Sequence, residues 1–171
     1  MDLLKKYKSQ LVDEFLDEDE FDGVLVKWVE KSGESDQSKR DFLWYVFQKL
    51  NKGIAEKFGY SIEMYQYQRK LYSIMLSFFI DENRNRNHIF KSINHCDLMI
   101  AKFSEYQQQV EFIASKCCEE CDKIDGTIIS LEEAIRAKPL PYVKCKRKNG
   151  CICCYGFHAV RDERGRIVWK T

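Results

Sequence analysis

The sequence lacks a long hydrophobic run. Its longest apolar-rich stretch, residues 71–80, is about ten residues long and contains two serines, whereas a membrane-spanning helix needs about 20 apolar residues. The N-terminal residues contain no apolar run followed by a small-residue cleavage site, so we expect no signal peptide. The sequence therefore predicts a soluble, cytoplasmic protein with no membrane partner.

Net charge is also nearly absent. The chain has 28 Lys and Arg against 27 Asp and Glu, a formal net charge of +1, so the molecule as a whole does not attract polyanions. Hydrophobic residues make up 44% and charged residues 32% of the composition, which is typical of globular proteins. At 171 residues, the chain can form one core, or a helical domain followed by a small module held together by metal.

Cysteine is abundant, and it is unevenly distributed. Seven of the eight cysteines lie in the last third of the chain, in two groups. The groups are Cys117-Cys118-x-x-Cys121 and Cys145-x5-Cys151-x-Cys153-Cys154. Disulfides persist in oxidising compartments, and nothing in this sequence indicates such a compartment, so the density of thiols favours metal binding.

The spacing of these cysteines is typical of a zinc site. Zinc prefers four nitrogen or sulfur ligands in a tetrahedron, and a C-x-x-C turn supplies two of them. Cys118 and Cys121 have this spacing, whereas Cys117 and Cys121 are one residue further apart, a less common arrangement. Two further ligands would come from Cys145, Cys151 and Cys153, and the sequence does not choose among these pairs. We predict one structural zinc ion held by four of these five residues: Cys118, Cys121, Cys145, Cys151 and Cys153.

The remaining candidate ligands have simpler interpretations. Cys96 lies on an apolar stripe and is predicted to be a core residue, and Cys154 adjoins an apolar run and can be core as well. His88 and His95 are interpreted as structural. A redox role for the C-x-x-C is disfavoured, because two glutamates separate the cysteines and an Asp-Gly turn follows them.

Apolar residues repeat at helical spacing through residues 1–104. The pattern predicts helices around Leu4–Phe15 and Phe21–Val29, then a loop over 31–39. Ser38 and Asp41 suggest a capping box that begins the next helix, which Gly59 can end. Ser61 can cap a helix that runs to about residue 81, and a further helix follows the polar connector 81–87.

The pattern changes near residue 104. Short strands are predicted at Val110–Ala114 and Thr127–Ile129, with the first cysteine group and an Asp-Gly turn between them. This arrangement predicts a zinc-knuckle hairpin. A short helix over Leu131–Ala137 and a β-hairpin over 155–169 complete the chain.

These elements predict a mainly helical α+β protein. An antiparallel helical domain, residues 1–104, would precede a small cysteine-rich zinc-binding α+β module, residues 105–171, that ends in a β-hairpin. The zinc would hold together a module too small to be stable through burial alone.

Part of the second module resembles a known family. The segment Cys118-Glu-Glu-Cys121-Asp-Lys-Ile-Asp125-Gly126, followed by Leu140-Pro141 and Cys151-Ile-Cys153, is similar to the terminal cysteine module of tailed-phage head-morphogenesis proteins, or minor head proteins. The resemblance covers residues 115–154. The family's histidine after the prolines is absent here, and Cys145 stands near its place, with residues 146–150 as an apparent insertion. The resemblance implies a phage or prophage role in head assembly, with portal or capsid-like protein partners.

The sequence therefore predicts a non-enzymatic structural-zinc protein that acts in protein–protein binding or assembly. It contains no H-E-x-x-H motif and no deaminase signature, so no catalytic residues and no organic cofactor are predicted. The alternative is a nucleic-acid-binding zinc module. It would use basic residues of the C-terminal loop and hairpin: Lys144, Lys146, Arg147, Lys148, Arg161, Arg164, Arg166 and Lys170.

Overall fold

The computed structural model describes residues 3–12, 14–114 and 116–170. Helices dominate this part of the chain, and a small antiparallel sheet lies near its C-terminal end, as the sequence predicts. The helices are α1 (Leu3–Leu11), α2 (Glu18–Ser32), α3 (Asp36–Phe58), α4 (Ile62–Asp81), α5 (Asn87–Lys102), α6 (Glu119–Asp122) and α7 (Leu131–Ala137). The strands are β1 (Gln108–Ile113), β2 (Ile128–Ser130) and β3 (Cys154–Ala159). None of the helices described is both long and apolar enough to cross a membrane.

The chain divides into two compact units, one ending at Gly59 and one beginning at Tyr60. The boundary predicted near residue 104 falls inside the second unit. The reason is that Leu98 and Ala101 of α5 are buried in the same core as Val110 and Phe112 of β1. The last helix before the cysteine-rich segment therefore packs with that segment.

The first unit is built on α3, against which α1 and α2 both pack. Aromatic rings meet edge to face at these contacts: Tyr7 lies 6.3 Å from Phe47, and Phe21 lies 5.3 Å from Phe42, between ring centroids. Such pairs add about 0.5–1.5 kcal/mol to the free energy of burial. The apolar stripes of the sequence thus form the core of this unit.

The start of α3 differs from the prediction. The helix begins at Asp36, and Ser35 is its N-cap, accepting a hydrogen bond from the backbone N–H of Ser38 at 3.1 Å. The predicted cap, Ser38, lies within the helix instead. Its hydroxyl donates to the Gly33 carbonyl at 2.8 Å and accepts from the Trp28 indole at 3.0 Å. Ser35 can cap earlier because the loop after α2 is shorter than predicted.

Gly53 lies in the interior of α3 on an exposed surface, and a Cβ at this position would meet no atom within 4 Å. We expect Gly53→Ala to raise the free energy of unfolding by about 0.5–1 kcal/mol, since glycine loses more backbone entropy in a helix than alanine does. Urea unfolding measures the change. Gly33→Ala is the control. Gly33 has a φ of 72°, so this substitution should lower the free energy of unfolding. A loss of stability in Gly53→Ala would contradict the position of Gly53 on the exposed surface of the α3 interior.

In the second unit, α4 and α5 form an antiparallel pair. Tyr65, early in α4, contacts Phe103 just beyond the end of α5, and Phe79, late in α4, contacts His88 at the start of α5. Arg69 and Asp97 form an ion pair between the two helices. Ser61 caps α4 as predicted, accepting from the Met64 N–H at 3.2 Å.

The sheet has the order β2-β1-β3, and both pairings are antiparallel. Val110 lies opposite Ile129 on one side and Phe157 on the other. Burial alternates along β1, and its buried face packs on α5 and α7, where Leu98, Leu131 and other apolar side chains complete the core. The predicted short strands and short helix are confirmed.

The predicted C-terminal hairpin is present in a reduced form. Residues 166–169 make isolated bridges, Arg161 with Ile167 and Tyr106 with Trp169, without forming a regular strand. The Val168 N–H donates to Val160 and its carbonyl accepts from the Gln107 N–H, so this segment divides its pairing between two neighbours.

Candidate metal centre

The first cysteine group lies in the connection between β1 and β2. Asp125 fixes this connection, because its carboxylate accepts from the Ala114 N–H at 2.7 Å, while the Gly126 N–H donates to the Phe112 carbonyl at 2.9 Å. Gly126 has a φ of 72°, which explains the Asp-Gly pair in the sequence. The one-turn helix α6 then carries Cys121 back toward Cys118.

The second cysteine group lies on the segment between α7 and β3, and α5 holds it in place. The side-chain oxygen of Asn87 accepts from the Cys151 N–H at 2.8 Å, and the side-chain amide of Asn94 donates to the Cys153 carbonyl at 3.4 Å. In the connector before α5, Asn83 accepts from the Asn149 side chain at 2.8 Å. These asparagines place the loop 146–150 and the cysteines that flank it.

The two groups converge on one cluster of six sulfurs. Their ligand atoms form two sets, within each of which all sulfurs lie within 4.8 Å of one another. One set comprises Cys117, Cys121, Cys151 and Cys153; the other comprises Cys118, Cys121 and Cys145. Cys121 belongs to both sets, and either set can hold a metal ion.

The spacing within the cluster suits tetrahedral coordination. Sulfur–sulfur distances are 3.6 Å for Cys118–Cys121, 3.8 Å for Cys118–Cys145 and 4.0 Å for Cys121–Cys151. Zn–S bonds of about 2.3 Å in a tetrahedron place the sulfurs about 3.8 Å apart. Only small side-chain movements would close these sulfurs around an ion.

Burial differs across the cluster. Cys121, Cys151 and Cys153 are 0% exposed, whereas Cys117, Cys118 and Cys145 are partly exposed. Desolvation raises the pKa of the Cys121 and Cys153 thiols and raises the pKa of Cys145 to about 12. Without a cation nearby, these sulfurs would remain protonated; a bound metal would ionise them.

Two of the partly exposed cysteines, Cys117 and Cys118, have lowered pKa values. The backbone N–H groups of Lys146 and Cys121 bond to Cys118 and lower its pKa to about 7. Burial acts to raise the pKa of Cys117, but hydrogen bonds from the Ile152 N–H, the neighbouring thiols and the Arg147 side chain outweigh it, and the pKa is lowered. N–H groups aimed at sulfur stabilise negative charge there.

The structure therefore brings all five predicted ligands together and adds Cys117. The ligand assignment itself stays a prediction. Cys117 is absent from the predicted set because its spacing to Cys121 is less common in zinc sites than that of Cys118. The Asn87 and Asn94 supports were also missed, although the polar connector 81–87 is rich in asparagine.

The other cysteines and two histidines lie outside both sets. Cys96 is 1% exposed and packs with Tyr65 and Met99, so the prediction of a core residue is confirmed. Cys154 begins β3 and is partly buried. His88 and His95 contact aromatic rings of α4, those of Phe79 and Tyr65.

Comparison of the chain with protein-family models, with curated proteins and with solved structures gives no match. The resemblance to phage minor head proteins stays a prediction.

Proposed function

We propose that this chain is a non-enzymatic protein in which the cysteine cluster binds zinc as a structural ion, and that the module so held acts in protein–protein assembly. The observation that carries the proposal is the convergence of six sulfurs from two segments about 30 residues apart, as in the Cys121–Cys151 contact. A segment of this size gains much of its stability from a metal when its core is small.

Zinc is the metal that this donor set suits best. All six donors are thiols, which select soft or borderline metals such as zinc over magnesium or calcium. The sulfur–sulfur distances fit a tetrahedron of Zn–S bonds. Backbone N–H groups of Lys146 and Ile152 stabilise the thiolates on the exposed side.

A structural role fits the burial of the ligands. Catalytic zinc sites keep one position open to water and substrate, whereas structural sites are closed by protein ligands. Here three of the six cysteines are completely buried, in the same core as Val110 and Phe112 of β1. The ion would join the β1–β2 connection to the segment leading into β3, and both of these lie beside the C-terminal end of β1.

The assembly role rests on the resemblance to the cysteine module of phage minor head proteins. Its supports in this chain are the C-x-x-C turn, the Asp125-Gly126 turn and the C-x-C that leads into β3. In this version, Cys145 replaces the family's histidine as a ligand, and it lies 3.8 Å from Cys118 between sulfur atoms. The partner would be a portal or capsid-like protein.

A nucleic-acid-binding module is the second candidate, since Lys144, Lys146, Arg147 and Lys148 are all exposed in one loop. Several of the predicted basic residues already have acceptors within the chain. Lys146 pairs with Glu120, and Arg166 pairs with Asp162. The Lys170 ammonium donates to the carbonyls of Lys102 and Ser104. These contacts favour the assembly role over this one.

One experiment separates the two roles. The tagged full-length chain is crosslinked in the cells that encode it, and the bound partners are identified for the wild type and for the Lys144→Glu/Lys148→Glu variant. Portal or capsid proteins recovered equally with both chains are the expected result. Recovery of DNA or RNA that the variant loses, with in vitro affinity falling steeply as salt rises, would replace the assembly role with the alternative.

A further inference from the structure

The cluster contains more sulfurs than one zinc ion can use. A tetrahedral ion takes four ligands, whereas six thiols converge here, and they do so as two overlapping sets. If one ion occupied the set of Cys117, Cys121, Cys151 and Cys153, then Cys118 and Cys145 would remain side by side, 3.8 Å apart, with no ion. Two adjacent thiols, both with sulfurs within 4.8 Å of the Cys121 sulfur, would then hold no ion.

The backbone of the first cysteine group delivers its sulfurs to different sets. Cys118 has an extended conformation, with φ −171° and ψ 166°. In extended backbone, neighbouring side chains point to opposite sides. Before any ion binds, Cys117 therefore lies with Cys151 and Cys153, while Cys118 lies with Cys145.

We infer that the six cysteines bind two zinc ions in one shared cluster, with Cys121 as a bridging thiolate. The inference rests on the proposed structural role of zinc. Two tetrahedral ions need eight ligand positions, so six sulfurs fill them only if two sulfurs bridge. Cys121 is one bridge because it belongs to both sets. Cys117 is the other, because it belongs to the first set and its sulfur lies 3.5 Å from that of Cys145 in the second.

The second ion would then bind Cys118, Cys145 and the two bridging sulfurs. Cys117 and Cys118 do not share a set, so their sulfurs must move closer when this ion binds. Both lie on the partly exposed side of the cluster, where side chains have room to move. The first ion would bind Cys151, Cys153 and the same two bridges, on the buried side.

The electrostatics of the cluster suit two ions as well as one. Two divalent ions with six thiolates carry the same net charge as one ion with four thiolates. The two-ion cluster, however, leaves none of the six sulfurs without an ion. The Arg147 side chain bonds to Cys117, and the Lys146 N–H donates to the Cys118 sulfur at 3.5 Å, so positive and partly positive groups face the negatively charged thiolates.

The test is native mass spectrometry of the full chain, purified without added metal, alongside two variants. The wild type and Cys154→Ser should each carry two zinc ions. Cys145→Ser should carry one, because it removes a terminal ligand of the second ion and leaves the first set intact. One zinc ion in the wild type would overturn the shared cluster and leave the proposed structural zinc standing, whereas a metal-free chain would overturn both.

Whether the two ions share bridging sulfurs is tested by replacing zinc with ¹¹³Cd and recording the cadmium NMR spectrum. Two cadmium resonances, each split by coupling to the other through a bridging sulfur, are expected. Two resonances without mutual splitting would show separate sites and overturn the bridge. In Cys145→Ser, a single unsplit resonance is expected.

Discussion

Replacing Cys121 with serine is expected to release the metal and unfold the C-terminal module. Cys121 is completely buried and belongs to both ligand sets, so no ion can keep a full set of sulfurs without it. Structural zinc contributes about 10–16 kcal/mol in small zinc domains, which matches or exceeds the whole stability of a typical domain, about 5–15 kcal/mol. Zinc content should fall to near zero, and amide protons of β1 and β3 should lose their protection from hydrogen exchange.

Cys96→Ser and Cys154→Ser are the matched controls for this prediction. Both remove a cysteine from the same unit, and neither residue belongs to a ligand set. Cys96 is buried, so its replacement measures the cost of a polar hydroxyl in the core without loss of metal. Both controls should keep their zinc and the protection of β1. A Cys121→Ser chain that also kept them would show that the cluster does not hold the module together.

Gly150→Ala should have the next largest effect, a loss of about 2–6 kcal/mol in the free energy of unfolding. Gly150 has a φ of 98°, where a side chain is strained, at a cost of about 1–3 kcal/mol. An added Cβ would also lie 2.6 Å from the side-chain oxygen of Asn87 and 3.1 Å from its backbone nitrogen. Such overpacking costs about 1–3 kcal/mol more. Because Asn87 also accepts from the Cys151 N–H, zinc affinity should fall with stability.

Gly126→Ala is the control for backbone strain alone. Gly126 has a φ of 72°, and a Cβ there would meet no atom within 4 Å. Gly126→Ala should lower the free energy of unfolding by only about 1–2 kcal/mol, from strain without a clash. Urea unfolding measures the change in both variants. Equal losses in the two variants would contradict the close contact between Gly150 and Asn87. A chelator competition assay reports the change in zinc affinity.

Local signals in the sequence predicted most of the helices and strands. The four-and-three spacing of apolar residues gave the helices, and the Asp125-Gly126 turn with flanking apolar runs gave β1 and β2. These features act between near neighbours, so they can be read without the fold. The predicted start of α3 was wrong because either of two serines, Ser35 and Ser38, could cap a helix. Only the hydrogen bond from the Trp28 indole to Ser38 distinguishes them, and no local pattern shows it.

The sequence predicted that cysteines form the cluster, but it did not identify all of the cysteines that belong to it. Spacing favoured Cys118 over Cys117, since C-x-x-C is the commoner chelating turn. The structure brings both sulfurs into the cluster, because the extended backbone at Cys118 places Cys117 in one set and Cys118 in the other. The support from Asn87 and Asn94 depends on α5 lying beside the second cysteine group, a contact across about 60 residues that no local pattern contains.

The central claim is that zinc lies in this cluster with sulfur ligands alone. X-ray absorption at the zinc edge tests it directly, on the full chain purified without added metal. A single shell of four sulfurs per zinc at about 2.3 Å is the predicted result. A shell of nitrogen or oxygen ligands at about 2.0–2.1 Å, or a protein that contains no zinc and has freely reactive thiols, would contradict it.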